Sequence, residues 1–114
     1  MKKFMAVYMM PVAMAQKMMA TSTPEQMKAG MDEWTKWANA NKKSIVDLGM
    51  PLGKTKRVTG AGVQDATNDM SGYSIVEGES AEAVAMMFKN HPHLKMDGAT
   101  VEVVEMVAIP GMGM

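Results

Sequence analysis

Short runs of crowded or alternating apolar residues punctuate this chain, with two stretches of helical spacing between them. In residues 3–9, Phe4, Ala6 and Tyr8 alternate with Met5, Val7 and Met9. This predicts a strand apolar on both faces that stops before Pro11. Residues 12–20 (VAMAQKMMA) suit a short extra helix or an ordered flap. Thr23, Pro24 and Gln26 supply a cap, a first-turn proline and a capping-box partner, predicting a helix to about Asn41. Its core-facing stripe is Met27, Met31, Trp34 and Ala38, widened by Trp37. Ile45, Val46, Leu48 and Leu52 mark a second strand, and the interruptions at Gly49 and Pro51 point to a bulge or an edge position. Lys56–Thr59 forms a short strand turned at residues 60–62 towards Val63, and residues 68–72 turn again into a strand over Tyr73–Glu77. Ser80 caps a second helix carrying Ala81, Val84, Ala85 and Phe88, stopped at Pro92. The last strand, Thr100–Val107, puts Val101, Val103 and Val107 on one face and Val104 and Met106 on the other. Residues 110–114 (PGMGM) are too rich in glycine for regular structure and read as a flexible tail.

The order strand, helix, strand, hairpin, strand, helix, strand is the split βαβ pattern of an α+β ferredoxin-like domain, with two helices on one face of an antiparallel sheet. With 114 residues, no linker and no internal repeat, residues 1–114 form one domain. Two helices cover one side of the sheet only. The strands carry too few charges for the other side to face water, so a second copy is the expected cover and the chain is expected to be a homodimer.

Composition narrows the function classes. Twelve basic residues balance twelve acidic ones, and Arg57 is the sole arginine. No net field therefore draws the chain to nucleic acid or to an anionic membrane. Absence of cysteine removes disulfides, thiolate zinc sites and a cysteine nucleophile. The start, MKKFMAVYMMPVAMAQ, imitates a secretory signal. Its apolar run is too short to span a bilayer and has the alternation of a strand, so a strand and a cytoplasmic location are expected. Methionine is abundant, 17 residues against three leucines. The pairs Met9-Met10, Met18-Met19, Met86-Met87 and Met112-x-Met114 suggest a soft-metal site. Adjacent side chains diverge on strands and helices, however, so methionine is expected mainly as core substituting for leucine, with no metal.

Chemistry is concentrated at His91-Pro92-His93, the only histidines and the only side chains expected to titrate near neutrality. Either could face a pocket as an acid or base, or serve as a capping residue at a helix end. Asp47, inside the apolar run Ile45–Leu48, is a candidate cleft carboxylate, or an edge residue pointing to solvent. Tyr73 could reach a ligand through its hydroxyl, or simply pack. Lys54, with Lys56 and Arg57, makes a basic turn that could hold an anion or be solvated. No phosphate loop, nucleophile elbow or His-Glu-x-x-His occurs, and no cofactor is expected.

Four stretches, residues 1–9 (MKKFMAVYM), 31–59 (MDEWTKWANANKKSIVDLGMPLGKTKRVT), 72–94 (GYSIVEGESAEAVAMMFKNHPHL) and 101–106 (VEVVEM), together resemble the YCII-related family. The resemblance implies a subunit of the dimeric α/β-barrel superfamily, with a cleft between two sheets. The Asp-Gly-Pro-Phe motif of a related group is absent, and residues 63–69 read VQDATND. Some YCII-like proteins pair a histidine near the first helix with an aspartate before a proline, and one branch removes chloride from a hydroxylated aromatic. Here the first helix holds Trp34 and Trp37 but no histidine, and His91 stands before Pro92. The pair does not carry over. The favoured function class is a small-molecule binder or an acid–base enzyme of the lyase, isomerase or dehalogenase type, acting on a small organic acid or aromatic in a pocket of the dimer cleft with His91 or His93 inside it. A non-catalytic module that binds a partner protein is the other function class.

Overall fold

The computed structural model describes residues 1–111; residues 112–114, with the Met112-x-Met114 pair and the end of the expected tail, lie outside the described residues. Strand β1 (Lys2–Met9) is followed by α1 (Val12–Thr21), α2 (Pro24–Ala40) and a short 3-10 turn (Lys42–Ser44). Strands β2 (Ile45–Asp47), β3 (Thr55–Thr59), β4 (Gly62–Ala66) and β5 (Met70–Gly78) come next. Helix α3 (Ala81–Met87), a 3-10 turn (Pro92–Lys95) and β6 (Thr100–Glu105) complete the chain. The main sheet has the order β2-β5-β1-β6, with every neighbouring pair antiparallel. Sequential strands are thus interleaved as the split βαβ pattern requires, and the fold is α+β ferredoxin-like. Strands β3 and β4 form a separate two-stranded arm.

Local chemistry sets the element boundaries. The capping box at Thr23 is complete: its hydroxyl accepts from Gln26 N–H at 3.2 Å while its own N–H donates to the Gln26 side chain at 2.9 Å. Ser80 Oγ likewise accepts from Ala83 N–H at 3.1 Å to start α3. Helix α3 packs so closely on β5 that a Cβ at Gly78 would lie 2.5 Å from a Val84 methyl. The helix ends at Met87, short of Pro92, where the chain tightens to three-residue bonds: Phe88 N–H donates to the Ala85 carbonyl at 3.0 Å and Lys89 N–H to the Met86 carbonyl at 3.3 Å.

The core lies between the helices and one face of the sheet. It is built from Phe4, Ala6, Tyr8, Trp37, Val76, Val84 and Phe88, with Trp34, Ile45, Val101 and Val103 at its margin. Four expectations need correction. The second strand stops at Asp47 instead of running to Leu52, since Gly49 takes φ +80° and a side chain there would strike the Tyr73 carbonyl. Only a single bridge, Pro51 to Gly72, resumes the pairing. The last strand ends at Glu105 rather than Val107. The α2 stripe faces the core only from Trp34 onwards: Met27 and Met31 are 61% and 67% exposed, on a first half of the helix in which residues 24–33 are all exposed. Methionine is not the core substitute expected: Met10 is the buried one among the described residues, and aromatic rings fill the interior instead.

Candidate functional site

Strand alternation directs Phe4, Ala6 and Tyr8 towards the helices, and Tyr8, at the end of this row, carries its hydroxyl into the interior. Ser74 on β5 donates to the Leu48 carbonyl at 2.6 Å, which commits its one hydrogen. Tyr8 O–H must therefore donate to Ser74 Oγ, 2.9 Å away. Burial raises the Tyr8 pKa, and the Ser74 bond offsets only part of that rise. Tyr8 is thus a fixed phenol.

The chain after α3 brings both histidines over Tyr8. His91 precedes a proline and takes the extended conformation (φ −63°, ψ 137°) that such positions favour. Its Nδ1 accepts from His93 N–H at 3.0 Å, capping the turn that follows. The capping role is therefore real but lies at the start of the next turn, not at the end of α3. An accepting Nδ1 carries no proton, so the neutral ring bears its hydrogen on Nε2. That Nε2 is buried without a hydrogen-bond partner, in a residue only 1% exposed. Burial, and secondarily the neighbouring His93, pull the His91 pKa down from 6.5 to about 4. At neutral pH the site therefore holds an uncharged donor.

Aromatic rings enclose this donor. Trp34 and Trp37 meet the His91 ring edge-on, each with centroids 4.4 Å away, while Tyr8 lies at 5.0 Å and Phe88 at 5.8 Å. Trp37 is anchored by its indole N–H to the Met87 carbonyl at 2.9 Å. Trp34 is only half-buried, and its helix has no buried residue before it. His93, also buried, is 2.9 Å through Nε2 from the Met9 carbonyl. A carbonyl only accepts, so this Nε2 carries a hydrogen and Nδ1 of the neutral ring presents a lone pair. The two rings have centroids 6.5 Å apart, the His91 donor beside a His93 ring that is an acceptor at Nδ1 in its neutral form.

The remaining candidates are dispersed. Tyr73 pairs with Val7 on the open face of the sheet, opposite in strand parity to Ser74. Asp47 ends the edge strand, and its carboxylate accepts from Gly49 N–H at 2.9 Å. Lys54 lines a cleft at the root of the arm. The structure gathers the two histidines and separates them from these three. It also places them against Tyr8 and Trp34 on the helix-covered side of the sheet, not on the open face where the dimer cleft was expected, because Tyr8 alternates inward while Val7 and Tyr73 point outward. Tyr8, Ser74, Trp34 and Trp37 complete the cluster; Ser74, a lone polar residue in the apolar run 73–76, was the available signal for the Tyr8 partnership.

No protein-family model matches this chain, and no curated protein matches it. Among solved structures, the fold is similar to 5-chloro-2-hydroxyhydroquinone dehydrochlorinase from Burkholderia phenoliruptrix AC1100, solved with 2,5-dihydroxybenzoquinone. The TM-score is 0.55 over 96% of each chain, at 16% identity. Such a likeness establishes a common fold. The family resemblance read from the sequence is thereby supported at the level of architecture.

Proposed function

We propose that this chain binds a small planar oxygen-bearing molecule, a hydroxylated aromatic or a quinone-like compound, within the aromatic cluster around His91. The observation that carries the reading is the orphaned Nε2–H of His91. A buried donor without an acceptor is costly, and a ligand carbonyl or phenolate oxygen supplies one. Tryptophan and tyrosine faces suit a flat ligand, and half-buried Trp34 is the side chain whose displacement admits it. The solved neighbour with a dihydroxybenzoquinone bound adds support at the level of fold.

The chemistry this site can perform is acid–base. Neutral His91 polarises an oxygen through Nε2–H, and His93 Nδ1 is the available base. His91 itself is not the base, since its only free nitrogen carries the hydrogen. Proton abstraction with loss of a leaving group, as in a dehalogenase-type elimination, is the first reaction class to screen. Function as a homodimer in the cytoplasm, closed over the open sheet face, belongs to the same reading.

Binding is tested by Trp fluorescence with a panel of hydroxybenzoates, catechols and dihydroxybenzoquinone. Saturable quenching in the parent, weakened about tenfold or more in a folded His91→Phe variant, is the expected result. Equal quenching of parent and variant overturns the reading.

A second reading rests on the bare methionines of α2. Met27 and Met31 lie one turn apart on the exposed first half of α2, an adaptable apolar stripe suited to a partner protein. Retention of ligand binding by a Met27→Glu, Met31→Glu double variant separates this role from the first.

A further inference from the structure

A second recess, of about 200 Å³, opens between α1 and the root of the β3–β4 arm, and no residue of the aromatic cluster lines it. Its apolar walls come from both sides: Val12, Ala15 and Met19 from α1, and Met10, Leu52 and Met70 from the sheet end. Hydrogen bonds hold its walls. Met10 N–H donates to the Asp69 carbonyl at 2.8 Å, and Leu52 N–H to the Ser71 carbonyl at 3.0 Å. Asn68 ties the two legs of the arm, donating to Thr55 Oγ1 at 3.4 Å and accepting from Met70 N–H at 3.0 Å. Two opposite charges, Lys54 and Asp69, line the same recess. Neither forms an ion pair among the described residues.

We propose that this recess binds a small apolar α-amino acid. The ligand carboxylate meets the Lys54 ammonium, its ammonium meets the Asp69 carboxylate, and its side chain rests on Met10, Leu52 and Met70. Charge complementarity selects the zwitterion. A simple carboxylic acid satisfies Lys54 but is repelled by Asp69, and a simple amine suffers the reverse. Both protein charges are solvent-exposed, so each contributes modestly and the affinity falls on the order of a millimolar. The site is independent of the His91 cluster.

The test is amide NMR titration of the parent, Lys54→Met and Asp69→Asn with L-leucine, isocaproate and isoamylamine. Leucine is expected to shift the Met10, Leu52, Lys54 and Ser71 signals saturably. Isocaproate and isoamylamine need about tenfold higher concentration, and each variant weakens leucine by about the same factor. His91→Phe leaves leucine binding unchanged, which separates this proposal from the His91 reading. Isocaproate binding as tightly as leucine, variants binding leucine like the parent, or no saturable shift in these signals each overturns it.

Discussion

At the residue scale, His91 carries the proposed chemistry and makes the acid side of the stability curve depend on pH. Above pH 6.5 its ring is neutral in folded and unfolded chains alike, and its shift has no effect. Between pH 6.5 and about 4 only the unfolded chain takes up the proton, so stability falls as pH falls. The loss is up to about 3 kcal/mol across that window. Urea unfolding at several pH values measures it, and His91→Leu is expected to flatten that part of the curve. Tyr8→Phe is expected to destabilise the fold by about 1 kcal/mol through loss of the bond to Ser74, measured at pH 7 where both groups are uncharged. The sequence singled out His91 and His93 as the chemical candidates, because imidazole is the side chain whose ordinary pKa lies nearest neutrality. It did not reveal which ring nitrogen is free. That follows from the backbone turn at Pro92, which brings His93 N–H onto His91 Nδ1. Nor did it separate Asp47 and Tyr73 from the histidines, since strand parity places residues only after register is known.

At the element scale, capping signals were legible and burial was not. Thr23, Pro24 and Gln26 placed the start of α2 correctly because each satisfies a backbone group locally. The stripe Met27, Met31, Trp34, Ala38 has the right period, but period cannot tell where the sheet beneath a helix ends. Residues 24–33 are exposed on every side, so their amides are expected to exchange quickly with deuterium while those around Trp37 are protected. Thr23→Ala is expected to increase fraying of this segment by about 1 kcal/mol, with a much smaller change in global unfolding. Hydrogen exchange resolves the two. The arm behaves similarly: Val58 and Val63 face each other on β3 and β4, and both are largely exposed. A lone two-stranded hairpin is marginal in water, which marks the arm as a second segment of low local stability.

At the scale of the whole molecule, the split βαβ order could be read from the run of elements because each change of period marks a new one. The open sheet face groups Met5, Ile75 and Val104 beside Val7 and Tyr73, with Glu102 against Val7 and the pair Lys3 and Glu77 at one end. The chain is only 19 Å across its thinnest dimension, consistent with a sheet covered on one side. Dimerisation through this face is expected at micromolar concentration, and Val104→Lys, on an exposed position, is expected to give a folded monomer by light scattering. A parent that is monomeric at that concentration contradicts the pairing. The ligand reading is tested most directly by nitrogen NMR of the two imidazoles, free and titrated with 2,5-dihydroxybenzoquinone. The predicted result is a neutral His91 with its hydrogen on Nε2 down to about pH 4, and a shift of that nitrogen that saturates with ligand. A His91 ring that carries its hydrogen on Nδ1, titrates near pH 6.5, or ignores the ligand would contradict it.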